Sequence, residues 1–205
     1  MNAPSLSGFN VSRETMDSLE TYLALLRKWN PKINLVSANT LAEAETRHIC
    51  DSAQITSFIP KTARNLVDLG SGGGFPGIVI AIMAKEQLPD LSVTLVESDQ
   101  RKASFLRTVL RETRTQAQVH AKRIEDIDPQ AADVLTARAL APLKSLCGFA
   151  QRHLALGGVA LFPKGKNWGK EVEEAQAEWS FQCVSHTSIT DPTAVVLELR
   201  DLSHD

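Results

Sequence analysis

The sequence predicts an α/β protein: a mostly parallel seven-stranded sheet, an antiparallel hairpin at the C-terminal end, and a helical cap at the N-terminal end. Three observations carry this. From Asn65 onward, short apolar runs alternate with longer helical patterns, as in a doubly wound parallel sheet. Only "SITDPTA" separates the last two strands, too little chain for a parallel crossover, so those two pair antiparallel. Ahead of Asn65 the apolar residues recur at helical spacing.

Taken in order, "ETMDSLETYLALLRKWN" sets Met16, Leu19, Tyr22, Leu23, Leu26 and Trp29 on one helical face. Thr40 and Glu43 have the spacing of a capping box, which starts a second helix near Leu41. These helices make a cap over residues 1–60, and residues 61–205 form the main domain. Strands are expected at 65–69, 92–97, 118–122, 133–137, 158–162, 181–187 and 194–200. Helices fall at about 77–86, 100–113, 142–153 and 168–179.

Composition narrows the class. The 205 residues are 43% hydrophobic and 22% charged, ordinary for a chain that buries a real core. A net charge of −2 advertises no nucleic-acid partner, but a local basic patch suffices to dock on phosphates. Cys50, Cys147 and Cys183 are widely spaced and odd in number, which argues against both a zinc site and a disulfide framework. The opening "MNAPSLSGFNVSRE" lacks a basic start and an apolar core, so no signal peptide is expected. The longest apolar run, Ile78 to Ala84, is too short to span a bilayer. A cytoplasmic protein without a membrane segment is expected.

The stretch "NLVDLGSGGGFPGIVIAIM" is a strand, a glycine turn and a helix beginning at Pro76. Such a turn brings backbone close to a nucleotide. A P-loop is excluded, because Ile78 and Val79 stand where lysine and a hydroxyl are required. A dinucleotide fingerprint can be laid on Gly72, Gly74 and Gly77, but Tyr22, the single tyrosine, has no lysine four residues on to make a dehydrogenase pair. In the third register Asp68 stands two positions before Gly70, with Gly72 and Gly74 following. That carboxylate would repel a pyrophosphate and suits a ligand bearing an ammonium and a sulfonium. Glu97 ends the second strand, where a carboxylate can accept ribose hydroxyls. The reading is a Rossmann-like methyltransferase using S-adenosyl-L-methionine.

The acceptor is narrowed by what is missing. "TARALAPL" lacks the Asn/Asp-Pro-Pro-Tyr/Phe element of exocyclic-amine methylation, and Cys147 has no Pro-Cys turn to present it to cytosine C5. No cluster of carboxylates and amides suggests a metal, so none is expected. Ring nitrogen N7 of guanine carries a lone pair and no proton, so no general base is needed. Basic residues gather at Arg101, Lys102, Arg107, Arg111 and Arg114, at Lys122 and Arg123, and in "PKGKNWGK" with Lys164, Lys166 and Lys170. There Lys164 and Lys166 could hold RNA phosphates while Trp168 stacks on a base. His48 and Asp51 lie one helical turn apart and could pair.

With these residues in view, the chain resembles the RsmG family of bacterial 16S ribosomal RNA guanine-N7 methyltransferases, also called glucose-inhibited division protein B. The markers are "YLALLRKWNPKINLVS", "RHICDS", "VDLGSGGGFPGI", "ESDQRKASFLR", "RIED", "ARALAPL" and "FPKGKNWGKEVEEA". The resemblance implies methylation of N7 of one guanosine in a decoding-centre loop of 16S ribosomal RNA. It implies cofactor contacts at Gly70, Phe75, Ile124, Glu125 and Arg138, with the adenine near Ile124 and Glu125. Arg138 would bridge cofactor and RNA. Val36 and Ala137 depart from the family's usual threonine and serine. A monomer acting on 16S ribosomal RNA or the small ribosomal subunit is expected. A small-molecule methyltransferase on the same fold is the alternative.

Overall fold

In a computed structural model describing residues 8–204, the chain forms a seven-stranded sheet in the order β3-β2-β1-β4-β5-β7-β6. The strands are β1 (Asn65–Leu69), β2 (Ser92–Val96), β3 (Gln118–His120), β4 (Ala132–Ala137), β5 (Leu154–Lys164), β6 (Trp179–Thr187) and β7 (Val195–His204). The first five pair parallel, and β7 runs antiparallel between β5 and β6. β5 and β7 outrun their expected limits: β5 already pairs with β4 at Leu154 and still pairs with β7 at Lys164, and β7 pairs with β6 as far as His204. Residues 1–7 of the stretch expected not to be a signal peptide lie outside the described residues.

Helix α1 (Arg13–Ile33) starts at Ser12, whose side chain accepts the Thr15 N–H, and ends at Asn34 in the left-handed conformation. Its expected face is the buried one: Leu19, Tyr22, Leu23 and Leu26 enter the core, with Met16 and Trp29 packed at its margin. The second helix departs from expectation. Ser37, not Thr40, is the cap, so α2 (Ala38–Leu41) starts three residues early and lasts one turn. The Thr40 hydroxyl instead meets His48 Nε2 at 2.9 Å. A π-helical turn over Glu45–Cys50 follows, then α3 (Asp51–Ala53) and a 3₁₀ turn over Gln54–Phe58. Such π turns are frequent at functional sites, and this one carries His48.

Helix α4 (Gly77–Gln87) explains the cap. Every residue from Gly77 to Ala84 is buried, so this helix has no polar face and needs protein on all sides. The sheet covers one side, and α1, α3 and the 3₁₀ turn cover the other, within one apolar cluster that runs from Leu19 to Leu66 and Val93. The remaining helices, α5 (Gln100–Glu112), α6 (Leu143–His153) and α7 (Trp168–Gln176), start and end close to their expected limits.

Gly77 permits the tightest contact in this packing. A Cβ there would lie 2.4 Å from Leu95 Cδ2 and 2.6 Å from Asp68 Oδ2, both inside the sheet. Gly77→Ala is therefore expected to destabilise the fold by about 2–3 kcal/mol, read as a lower urea midpoint at unchanged slope. An unaltered midpoint would show that α4 can move away from β1.

Candidate active site

The glycine turn follows β1 and is fastened from three sides. Asp68, fully buried, accepts the Thr136 hydroxyl at 2.8 Å through Oδ1 and the Gly77 N–H at 3.2 Å through Oδ2. Glu97 accepts the Gly72 N–H at 2.8 Å and the Asp99 N–H at 2.7 Å. From the cap, the Tyr22 hydroxyl donates to the Gly73 carbonyl, and its ring stacks on Phe75 at 5.1 Å. Tyr22, which the sequence presents only as a tyrosine without a dehydrogenase lysine, is thus a clamp on the loop. Its helical position reports burial and nothing about where the hydroxyl goes.

The turn forms one wall of a cleft of about 520 Å³. Gly70, Gly72, Phe75, Glu97, Ile124, Glu125 and Arg138 all line it, together with Val96, Lys102, Leu140 and Phe149. Of the first seven, motif spacing pointed to Gly70, Gly72 and Glu97, and the family resemblance implied Phe75, Ile124, Glu125 and Arg138. Sequence reasoning missed Leu140 and Phe149, apolar residues with no motif of their own. At Gly72 φ is +56°, and a Cβ there would have its nearest neighbour 3.7 Å away, so backbone stands open to the cleft where a side chain would fill it.

Asp68 departs from the sequence picture. Its carboxylate lies beneath the turn, wholly shielded, and does not face the cleft. Burial pushes it up to about 6 despite the hydrogen bonds from Thr136 and Gly77 and the nearby Arg138 charge. Its part is to tie β1, β4 and the start of α4 together. Glu97 does face the cleft, as Glu125 does, and each Glu97 oxygen accepts one backbone N–H and keeps capacity for another donor. A ribose diol is such a donor pair, and Phe75, Val96, Ile124 and Leu140 offer apolar walls to a base. These residues fit the adenosine part of S-adenosylmethionine.

A second cleft of about 740 Å³ adjoins the first. The two share the segment Arg138–Ala141. Arg138 joins cap to sheet: its guanidinium lies 4.9 Å from the Phe75 ring centroid, 3.1 Å from His48 Nδ1 and 3.6 Å from Asp51 Oδ2. His48 and Asp51, candidates for a pair on their spacing, both meet Arg138 instead. Asp51 is further held by Gln54, Ser188 and Thr190. Burial, then the Arg138 and Arg47 charges, lower His48 to about 4. It is therefore neutral at pH 7, with Nδ1 accepting from Arg138 and Nε2 donating to Thr40.

The basic clusters are reassigned in part. Lys164, expected to grip RNA, is only 9% exposed and donates to Glu171 at 2.7 Å and to the Ala141 carbonyl at 3.1 Å. Trp168, expected to stack on a base, packs against the core under α7. Arg101, Arg111 and Lys170 pair with Asp99, Glu112 and Glu174. Lys166 and Lys122 remain exposed. Burial pushes the Cys50 and Cys147 thiols up to about 11 and about 12, which leaves them protonated and weakly nucleophilic. Among the described residues no group of three or more His, Cys, Asp and Glu side chains could hold a metal ion, and no helix is long and apolar enough to cross a membrane.

The family model for rRNA small subunit methyltransferase G matches residues 15–198. The chain belongs to that family. A ribosomal RNA small subunit methyltransferase G from Ruegeria pomeroyi is 50% identical over 199 residues, 97% of each chain. A second, from Cereibacter sphaeroides, is 48% identical over 204 residues, covering 100% of this chain and 99% of the relative. Among solved structures, the O-methyltransferase TomG from Streptomyces achromogenes in complex with SAM superposes with a TM-score of 0.59 at 16% identity, covering 95% of this chain and 93% of its own. That likeness is one of fold. As a member of the methyltransferase G family, the protein is an S-adenosylmethionine-dependent ribosomal RNA methyltransferase.

Proposed function

We propose that this enzyme methylates N7 of one guanosine in the decoding-centre loop of 16S ribosomal RNA. The observation that carries the reading is that, among the described residues, the titratable side chains meeting Arg138 at the shared wall are already engaged. Both nitrogens of His48 are engaged, Asp51 is held by four neighbours, and the nearby thiols stay protonated. An acceptor needing deprotonation or covalent activation would find no partner among these groups. N7 needs neither, since its in-plane lone pair is the nucleophile.

S-adenosylmethionine, when bound, supplies an electrophilic methyl on a sulfonium. Gly70 and Gly72 would hold it by backbone, Glu97 by the ribose, and Ile124 and Glu125 beside the base. Phe75 and Arg138 would close the end nearest the acceptor. The chain's contribution is then alignment of two reactants and exclusion of water, which can account for much of a methyl-transfer rate. The second cleft receives the guanine, and Arg138, lining both clefts, orients it. Lys166 and Lys122 lie exposed for phosphates. With a ribosomal RNA substrate, the reaction belongs in the cytoplasm.

The test is incubation with radiolabelled cofactor and small-subunit particles from cells lacking the activity, followed by mapping of the label. Label at one guanine N7 is the expected result. Label on another atom, or turnover of small molecules without steep salt dependence, would replace this reading.

A further inference from the structure

The segment between the two clefts, Arg138–Pro142, joins the end of β4 to α6 and is held in an unusual way. Ala139 adopts φ +52°, a left-handed conformation that a residue with a Cβ enters only under constraint. The next residue, Leu140, sets its side chain against the glycine turn on the cleft side, where its Cδ1 would lie 2.6 Å from a Cβ on Gly70. Pro142 caps α6 but has no side-chain acceptor to offer. The constraint comes from elsewhere. Glu171 on α7 reaches across and accepts the Leu143 N–H at 2.9 Å through Oε2, and the same oxygen takes Lys164 Nζ. Lys164, at the end of β5, in turn donates to the Ala141 carbonyl. One half-buried ion pair thus bonds the chain at Ala141 and again at Leu143, from two different elements.

We propose that Lys164 and Glu171 are positioning residues, an internal latch that fixes the wall where methyl donor and acceptor guanine meet. This rests on the function proposed above and extends it to two residues on the wall of the second cleft that act through the Arg138–Pro142 segment and not on the reacting atoms. The physical reason is geometric. The wall carries Arg138 at one end and is anchored at the other, so releasing the anchor lets Ala139 relax and carries Leu140 and Arg138 with it. Misplacement on the order of 1 Å between reacting groups costs about 100-fold in rate, while binding surfaces away from the wall are untouched. The competing role for Lys164 is a phosphate grip, which predicts the opposite split between rate and affinity.

Lys164→Met, Lys164→Arg and Glu171→Gln, each in the full chain, separate the two roles by single-turnover methylation of small-subunit particles at several salt concentrations. For Lys164→Met the saturating rate is expected to fall at least tenfold. The half-saturating particle concentration and its salt slope should stay within twofold. Lys164→Arg, which keeps donors for both partners, should recover most of the rate, and the Lys164→Met/Glu171→Gln double variant should be no slower than the slower single variant. Weaker particle binding, with a salt slope shallower by about one phosphate contact and an unchanged saturating rate, would overturn the latch. Should Lys164→Met not fold, Glu171→Gln, equal in size, carries the same comparison. Amide exchange at Leu143 needs no methyl acceptor: faster exchange in Glu171→Met, which removes the accepting oxygen that glutamine would keep, supports the latch, and unchanged exchange overturns it. If the unmodified enzyme labels no guanine N7, the function proposed above fails, and this exchange measurement still decides the latch.

Discussion

Arg138→Met is expected to lower stability by about 3 kcal/mol and to reduce methylation by about 100-fold or more. The side chain is 18% exposed and faces Asp51, His48 and the Phe75 ring together. Methionine fills similar space but leaves Asp51 without its cation and Phe75 without a charge over its face. Three neutral donors to Asp51, from Gln54, Ser188 and Thr190, hold the loss to the lower end of what a broken buried pair costs. Urea unfolding gives the stability change. A nuclear resonance titration of His48 gives a second readout whose sign is fixed. The Arg138 charge lowers the His48 pKa, so its removal should raise that pKa from about 4 toward the ordinary imidazole value. Arg138→Lys keeps the charge but not the planar fork or the stacking, and should rescue the His48 shift better than the rate. An unmoved His48 titration would show that the guanidinium does not face the ring.

The second large effect is at the other end of the cleft. Glu97→Ala is expected to weaken S-adenosylmethionine binding by about 30–100-fold, as measured by calorimetry. Losing charge-assisted hydrogen bonds to two hydroxyls is worth about 2–3 kcal/mol, and every 1.4 kcal/mol is about tenfold in affinity. The turn also loses the acceptor of the Gly72 N–H, so part of the effect reaches the ligand through the loop. Glu97→Gln separates the contributions, because its amide offers one oxygen where Gly72 and Asp99 require two acceptors. Unchanged affinity in both variants would place the ribose elsewhere.

These variants also show how unevenly the site was legible. Glu97 and the glycines announce themselves, because a strand end, a tight turn and a carboxylate are local features with local reasons. Asp68 was found by the same logic but for another purpose: its position in the motif is readable, whereas the direction of its side chain depends on the pleat of β1 and on Thr136 in β4. Lys164 shows the same limit. Lysines beside glycines after a strand look like a phosphate grip until Glu171, seven residues on, is seen to fold back over one of them. Tyr22 carried no motif signal at all, since its partner Gly73 is 51 residues away.

The sequence by itself determined the order and kind of nearly every element from Asn65 on, the antiparallel closing hairpin, the glycine turn and the place of Glu97 just after β2. Each of these follows from periodicity, loop length or backbone sterics within a few residues. Tertiary structure alone decided the short helices between Ser37 and Phe58, the meeting of His48 and Asp51 at Arg138, and the wall shared by the two clefts. Those depend on contacts between segments far apart in the chain, where the partner of a charge is set by packing and not by its neighbours in sequence.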